Sequence, residues 1–165
     1  MNKDVKHKNV FISHHHKDDE HISKLSQLLS KQGYNIRNSS IRVNPENQKR
    51  LDKKKVSDKV LQRLLRMKIS WAGKAIVIIG KDTHKRPWVN WEIEQANKQG
   101  KEIVGVYARG GTEADIPPAL EKYATAIKAW TSKGIISALE GSSNDFERPD
   151  GRPREATHTS ISINC

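Results

Sequence analysis

The stretch PWVNWEIEQA at 87–96 places one carboxylate, Glu92, in the opening turns of a helical pattern. Trp88 stands four residues before it and Trp91 beside it. Residues four apart share a stripe on a helix, so Trp88 and Glu92 stack on one face. Val89, Ile93 and Ala96 recur at i, i+4 and i+7 and form the adjoining apolar stripe, which must face a core. Glu94 has Lys98 one turn later and reads as an ordinary surface pair. Glu92 has no cation three or four residues away in either direction along its helix. Two readings fit these spacings. One is an acidic residue favoured near a helix N-terminus. The other is a carboxylate held beside an indole wall in a cleft, where it can stabilise positive charge developing on a substrate.

The elements that must position this helix can be read outward from it. KAIVIIG at 74–80 is apolar on both faces and ends in glycine, as a central parallel strand does. The helix 87–100 has Pro87 at its first position and Gly100 as its stop. NVFIS at 9–13 is a short buried strand. It leads to a helix over 19–32, with Ile22, Leu25, Leu28 and Leu29 at helical spacing, Asp18 as cap and Gly33 as stop. YNIR at 34–37 is a second strand. Residues 38–55 read as a polar, basic loop, and Val56, Val60, Leu61, Leu64 and Leu65 as the apolar face of another helix. EIVGVYA at 102–108 and TAIKAW at 125–130 are further strands, separated by a loop at 109–118. The last helix covers 131–141, capped by Thr131 or Ser132. Five strands alternating with helices predict one α/β domain over 1–141 with a parallel sheet. Ligands of such sheets bind beyond the carboxyl ends of the strands, at the topological switch point. The tail, 142–165, has almost no aliphatic periodicity and is expected to be loosely ordered, or ordered only against a partner.

Composition bounds the function. The chain of 165 residues is 35% hydrophobic and 30% charged, a globular balance. No apolar run is long enough to span a membrane, and MNKDVKHKNV lacks the apolar core of a secretory signal. The single cysteine, Cys165, forms no internal disulfide, and we expect a cytoplasmic protein without a membrane partner. The net charge is +11, of which ten Lys/Arg against three Asp/Glu fall between Arg42 and Lys68. Such a block invites a nucleic-acid reading. No aromatic residue interleaves it before Trp71, so no base-stacking platform is visible and nucleic acid is disfavoured as a partner. Trp71 and Trp130 are expected to fill core edges. HHHKDDEH admits metal ligation through His14, His16, Asp18 and His21, but no cysteine joins them and we expect no metal.

Several of these motifs resemble one family. WVNWE fits the W-x-x-x-E spacing of TIR domains that act on NAD. VFISHHHKDD resembles the opening strand and loop of TIR-like domains. KAIVIIGKDTHKRPWVNWEI is similar to the central strand–loop–helix unit of TIR-like proteins from bacterial Thoeris anti-phage systems. The resemblance spans roughly residues 8–140. It implies a flavodoxin-like TIR fold, a five-stranded parallel sheet in the order 2-1-3-4-5 with helices on both faces. It also implies cleavage of the nicotinamide–ribose bond of NAD, which is a substrate and not a resident cofactor, with Glu92 as the catalytic carboxylate. In the Thoeris relatives the product is a cyclised or otherwise modified ADP-ribose, a second messenger for a separate effector protein. Self-association with other TIR domains is a further implied partner.

On that reading the diphosphate needs a seat, and no G-x-G-x-x-G follows a strand here. The backbone amides after Ser13, before the helix 19–32, are the expected anion site, lined by Ser13, His14 and His15. Ser39 and Ser40 approach from the loop after the second strand, and Trp88 and Trp91 stack on an aromatic ring or exclude water. Two other functions fit the same fold: a plain NAD hydrolase that depletes the cell, and a non-catalytic interaction module.

Overall fold

From Ala75 onward, successive positions of KAIVII alternate between two cores, which is why that strand is apolar after its first residue. In the computed structural model, residues 9–14, 19–38, 59–141 and 145–154 are described. The strands are β1 (Asn9–Ser13), β2 (Asn35–Asn38), β3 (Lys74–Ile79), β4 (Glu102–Tyr107) and β5 (Ala126–Lys128). They form one sheet in the order β2-β1-β3-β4-β5, with every pairing parallel. The helices are α1 (Asp19–Lys31), α2 (Lys59–Trp71), α3 (Pro87–Lys98), α4 (Pro118–Tyr123) and α5 (Ser132–Leu139).

The strand period of two divides the core. Ala75, Val77 and Ile79 of β3 join Phe11 on the face covered by α2, α3 and α4, where Leu61, Leu65, Val89, Ile93 and Leu120 pack. Ile76 and Ile78 join Val10 and Ile12 on the other face, against Leu25 and Leu29 of α1 and Ile135 and Leu139 of α5. The chain therefore leaves β1 on one face and β3 on the other, and the switch point lies between their carboxyl ends. Among the described residues no helix is long and apolar enough to cross a membrane.

The expected helix stops are present. Gly100 adopts φ 73, its amide bonds to the Asn97 carbonyl at 3.0 Å, and that of Lys101 to Ala96 at 3.0 Å. This pair is the Schellman closure of α3, and the left-handed residue in it favours glycine. Thr131 caps α5, its hydroxyl accepting from the Gly134 amide at 3.1 Å. Trp71 and Trp130 are both partly buried against the cores.

Three expectations differ from the structure. The apolar face of α2 is Leu61, Leu65 and Ile69, while Val60 and Leu64, expected inside, are 56% and 39% exposed. The buried stripe is one residue wide at strict i, i+4 spacing, and Val60 and Leu64 fall beside it. The expected loop 109–118 contains a tight turn at Glu113–Asp115 and leads into α4, which Pro118 opens as a first helical residue. Residues 145–154, expected to be loose, are ordered against the domain itself. Phe146 bridges to Ile127 in parallel, and the Ile127 amide bonds to Asp145 O at 3.1 Å.

That contact rests on Lys128, which is only 4% exposed. Its ammonium meets Glu147 Oε2 at 3.3 Å and Asp145 Oδ2 at 3.8 Å. Glu147 Oε1 also accepts from the Ala129 amide at 2.9 Å, and its carbonyl accepts from the Tyr107 hydroxyl at 2.9 Å. Removing the carboxylate would strip a buried cation of its partner at 3.3 Å. Glu147→Ala is expected to lower the unfolding free energy by about 2–4 kcal/mol in urea melts, through the weakened pairing of that charge and the lost amide bond.

Candidate active site

Glu92 lies in the second turn of α3 and is 1% exposed. An ionised carboxylate is buried at a large penalty unless it is hydrogen-bonded or paired. The chain supplies Ser13, the last residue of β1, whose Oγ donates to Glu92 Oε1 at 2.5 Å. Ser13 is itself 2% exposed and lies opposite Val77 of β3. The carboxylate is thus fixed beside the carboxyl ends of the two strands that flank the switch point, not in bulk solvent.

A cation comes from the neighbouring helix. Lys68 of α2 titrates below the usual lysine range, chiefly because it is buried and further because of Arg37, while the Glu92 charge opposes the shift. Glu92 therefore acts on Lys68 across the α2–α3 contact. Lys68 sits half-buried beside the Leu61–Leu65–Ile69 stripe of α2, seven residues after Leu61, and that spacing was the available signal for it.

The two tryptophans split in role. Trp88 is 5% exposed and meets Trp91 edge-on, with centroids 5.1 Å apart. Its indole N–H is buried and has no hydrogen-bond partner among the described residues. Trp91 is partly buried against the same core, and the Arg66 guanidinium lies 5.3 Å from its ring centroid. Arg66 also donates to Gln95 Oε1 at 3.1 Å, which joins α2 to α3 near the site.

Of the other residues expected here, His14 is buried directly after Ser13. His15, Ser39 and Ser40 lie outside the described residues, as do His16, Asp18, Val56 and the basic stretch 42–55. His21 packs edge-on against Trp130, with centroids 5.8 Å apart.

Sequence reasoning missed the residues that aim α3. Asn90, within WVNWE, accepts from the Ala119 amide at 3.1 Å and donates to the Arg86 and His84 carbonyls at 3.3 and 3.4 Å. It pins the start of α3 to the start of α4. Thr83 is fully buried and its hydroxyl accepts from the Gly80 amide at 2.9 Å, shaping the turn that leaves β3. Asp115 fastens that turn to the loop after β4. Its Oδ1 accepts from the Asp82 amide at 3.0 Å, and its Oδ2 from the Thr112 amide and hydroxyl at 2.9 and 3.0 Å. His84 Nδ1 lies 3.7 Å from Asp115 Oδ1. Asp82, His84 and Asp115 offer ligand atoms within 4.8 Å of one another, a spacing that could hold a metal ion. Both Asp115 oxygens already accept capping bonds, so the group reads as a clamp between two loops.

These features sit in a chain that matches a family model described as the TIR-like domain of the Thoeris protein ThsB, over residues 11–113. The chain belongs to that family. The matched region contains the end of β1, all of β3 and the whole of α3, and so includes Ser13, Lys68 and Glu92. No curated protein matches this ThsB-like chain.

The clamp has a pH signature. Burial pushes the Asp115 carboxyl up, but the amides of Asp82 and Thr112, the Thr112 hydroxyl and His84 together bring it below the usual carboxylate range. A folded value below the unfolded one stabilises the fold above the ordinary aspartate range of about 3.9, and the contribution is lost as pH falls through the folded value. Urea midpoints should therefore fall more steeply below about pH 4 in the wild type than in Asp115→Asn, which is less stable at neutral pH but lacks this titration. Asn90→Ala should cost about 1–2 kcal/mol at neutral pH, since the Ala119 amide loses its acceptor.

Proposed function

We propose that this Thoeris TIR protein cleaves the nicotinamide–ribose bond of NAD, with Glu92 as the catalytic carboxylate. On this reading it makes a cyclic or modified ADP-ribose that signals to a separate effector protein in anti-phage defence. The observation that carries the reading is a buried glutamate, hydrogen-bonded by Ser13, at the switch point of a parallel sheet. Family membership supports the defence context. The indole N–H of Trp88, buried without a partner among the described residues, supports a polar ligand beside this part of α3, because such donors are rarely left unsatisfied.

The chemistry needs few groups. Heterolysis of the C1′–N bond sends the bonding pair to the pyridinium nitrogen, so nicotinamide leaves neutral and needs no general acid. The ribosyl fragment becomes oxocarbenium-like, as in glycoside hydrolysis. A fixed anion beside it stabilises that charge without reorganising during the reaction. The Ser13 hydroxyl holds the carboxylate in place, and the Lys68 charge interacts with it from α2. The cation is then captured by a nucleophile that loses a proton. Water gives ADP-ribose, whereas a closer hydroxyl or ring nitrogen gives a cyclised or conjugated product.

The test is mass analysis of nucleotides after NAD is incubated with protein purified from infected and uninfected cells. Glu92→Gln keeps the size and an acceptor for Ser13 but removes the charge. It should lower nicotinamide release at least about 100-fold, the scale of losing one preorganised electrostatic group. Ser13→Ala should lower it about tenfold or more, through loss of a hydrogen bond to a charged group. Turnover equal to wild type in a folded Glu92→Gln protein overturns the mechanism. Absence of turnover in wild-type protein from infected cells would favour a non-catalytic module. ADP-ribose as the sole product would favour plain hydrolysis over messenger synthesis.

A further inference from the structure

A second crevice opens at the carboxyl ends of β4 and β5, on the side of the sheet covered by α1. Its volume is about 510 Å³, which falls in the range of small-molecule sites, about 300–1,000 Å³. It is apart from Glu92, which lies with α3 on the other face.

The walls of this crevice have a definite chemistry. Trp130 follows β5 and is only partly buried, and His21 against it fixes the indole plane. An indole held in this way at the wall of a cleft is a stacking platform for a planar ring. Arg109 stands exposed at the rim, and Lys24 of α1 adds a second positive side chain. Arg109 is presented by a turn with little freedom. The Ala108 amide bonds to the Ile79 carbonyl at 3.0 Å, and the Gly111 amide to that of Ala108 at 2.9 Å. A Cβ on Gly111 would fall on the Ile79 carbonyl oxygen, so the turn presses against the end of β3 because that residue is glycine. The acid in the lining, Asp150, is turned toward Arg152: Oδ1 accepts its amide at 2.9 Å, and Oδ2 lies 3.4 Å from its guanidinium. Among the described lining residues, Arg109 at the rim then presents a positive charge that suits a phosphate.

We infer that this crevice is a second ligand site, which takes a nucleotide by stacking the base on Trp130 and pairing the phosphate with Arg109. It does not depend on the activity proposed for Glu92. The ordered segment 145–154 supplies its outer wall through Pro149 and Asp150, which gives that segment a role beyond covering β5.

Titration calorimetry with AMP as the probe tests the assignment. AMP should bind the full chain saturably, with a dissociation constant below about 1 mM. Adenosine alone and inorganic phosphate alone should each bind about tenfold more weakly or not at all, since each lacks one of the two contacts. Arg109→Gln, a rim substitution that leaves the core intact, should weaken AMP about tenfold, and Trp130→Leu at least as much. Glu92→Gln should bind AMP as wild type does, whatever its effect on NAD turnover. No saturable heat with wild type up to about 5 mM AMP overturns the site. So does an affinity unmoved by Arg109→Gln, or a loss in Glu92→Gln equal to that in Arg109→Gln.

Discussion

The hydrogen bond from Ser13 to Glu92 joins two residues 79 positions apart, and much of the molecule serves to bring them together. A carboxylate at 1% exposure cannot stay charged without a donor and a nearby cation. The donor has to come from the end of β1, because α3 crosses the sheet there. A cation comes from α2, where Lys68 feels the Glu92 charge; α3 itself places none within a turn of Glu92. Five parallel strands, with the crossover on opposite faces after β1 and β3, are what give α3 a strand end to lean on.

Positioning of this kind needs a rigid path from β3 to α3. The turn 80–86 has a left-handed residue, Asp82, and polar side chains that would wander without anchors. Thr83 closes it from within and Asp115 from the next loop, and Asn90 then fixes the first turn of α3 on α4. All three anchors use side-chain oxygens to accept backbone amides, so each bond orients the chain as well as satisfying a donor. A helix held at its start by three such bonds has little freedom to swing, and the carboxylate one turn later inherits that precision.

Features set by local periodicity were legible in the sequence. The two-faced apolar run of β3, Pro87 at the start of α3, Gly100 at its end and the Val89–Ile93–Ala96 stripe all appear where spacing put them. The W-x-x-x-E spacing singled out a glutamate that the structure buries against the end of β1. What spacing could not supply was the identity of partners distant in the chain. The search for a cation beside Glu92 stopped at its own helix, yet Lys68 belongs to another. Val60 and Leu64 looked buried because the α2 pattern was read as a broad face, and only packing against α3 shows the stripe to be narrow. The tail gave no periodic signal because its order comes from two isolated bridges, one aromatic side chain and ion pairs such as Lys128–Glu147 and Arg154–Glu121, none of which repeats.

The tail also answers a problem that the sheet creates. β5 has three residues and lies at the sheet edge, where unpaired backbone groups invite another strand. Ile127 at its centre gives its amide to Asp145 and its carbonyl to the Glu147 amide, so the edge is paired within the chain. A buried lysine in the same strand would be an odd choice if that edge were open to solvent. Lys128 makes sense once Glu147 arrives: it fixes the register of the covering segment, and a one-residue slip would leave the ammonium without its carboxylate. The same anchoring that seals the edge sets Pro149 and Asp150 beside the ends of β4 and β5. Protection of the sheet and construction of the second crevice therefore draw on the same tethered segment, held by Lys128–Glu147 at one end and Arg154–Glu121 at the other.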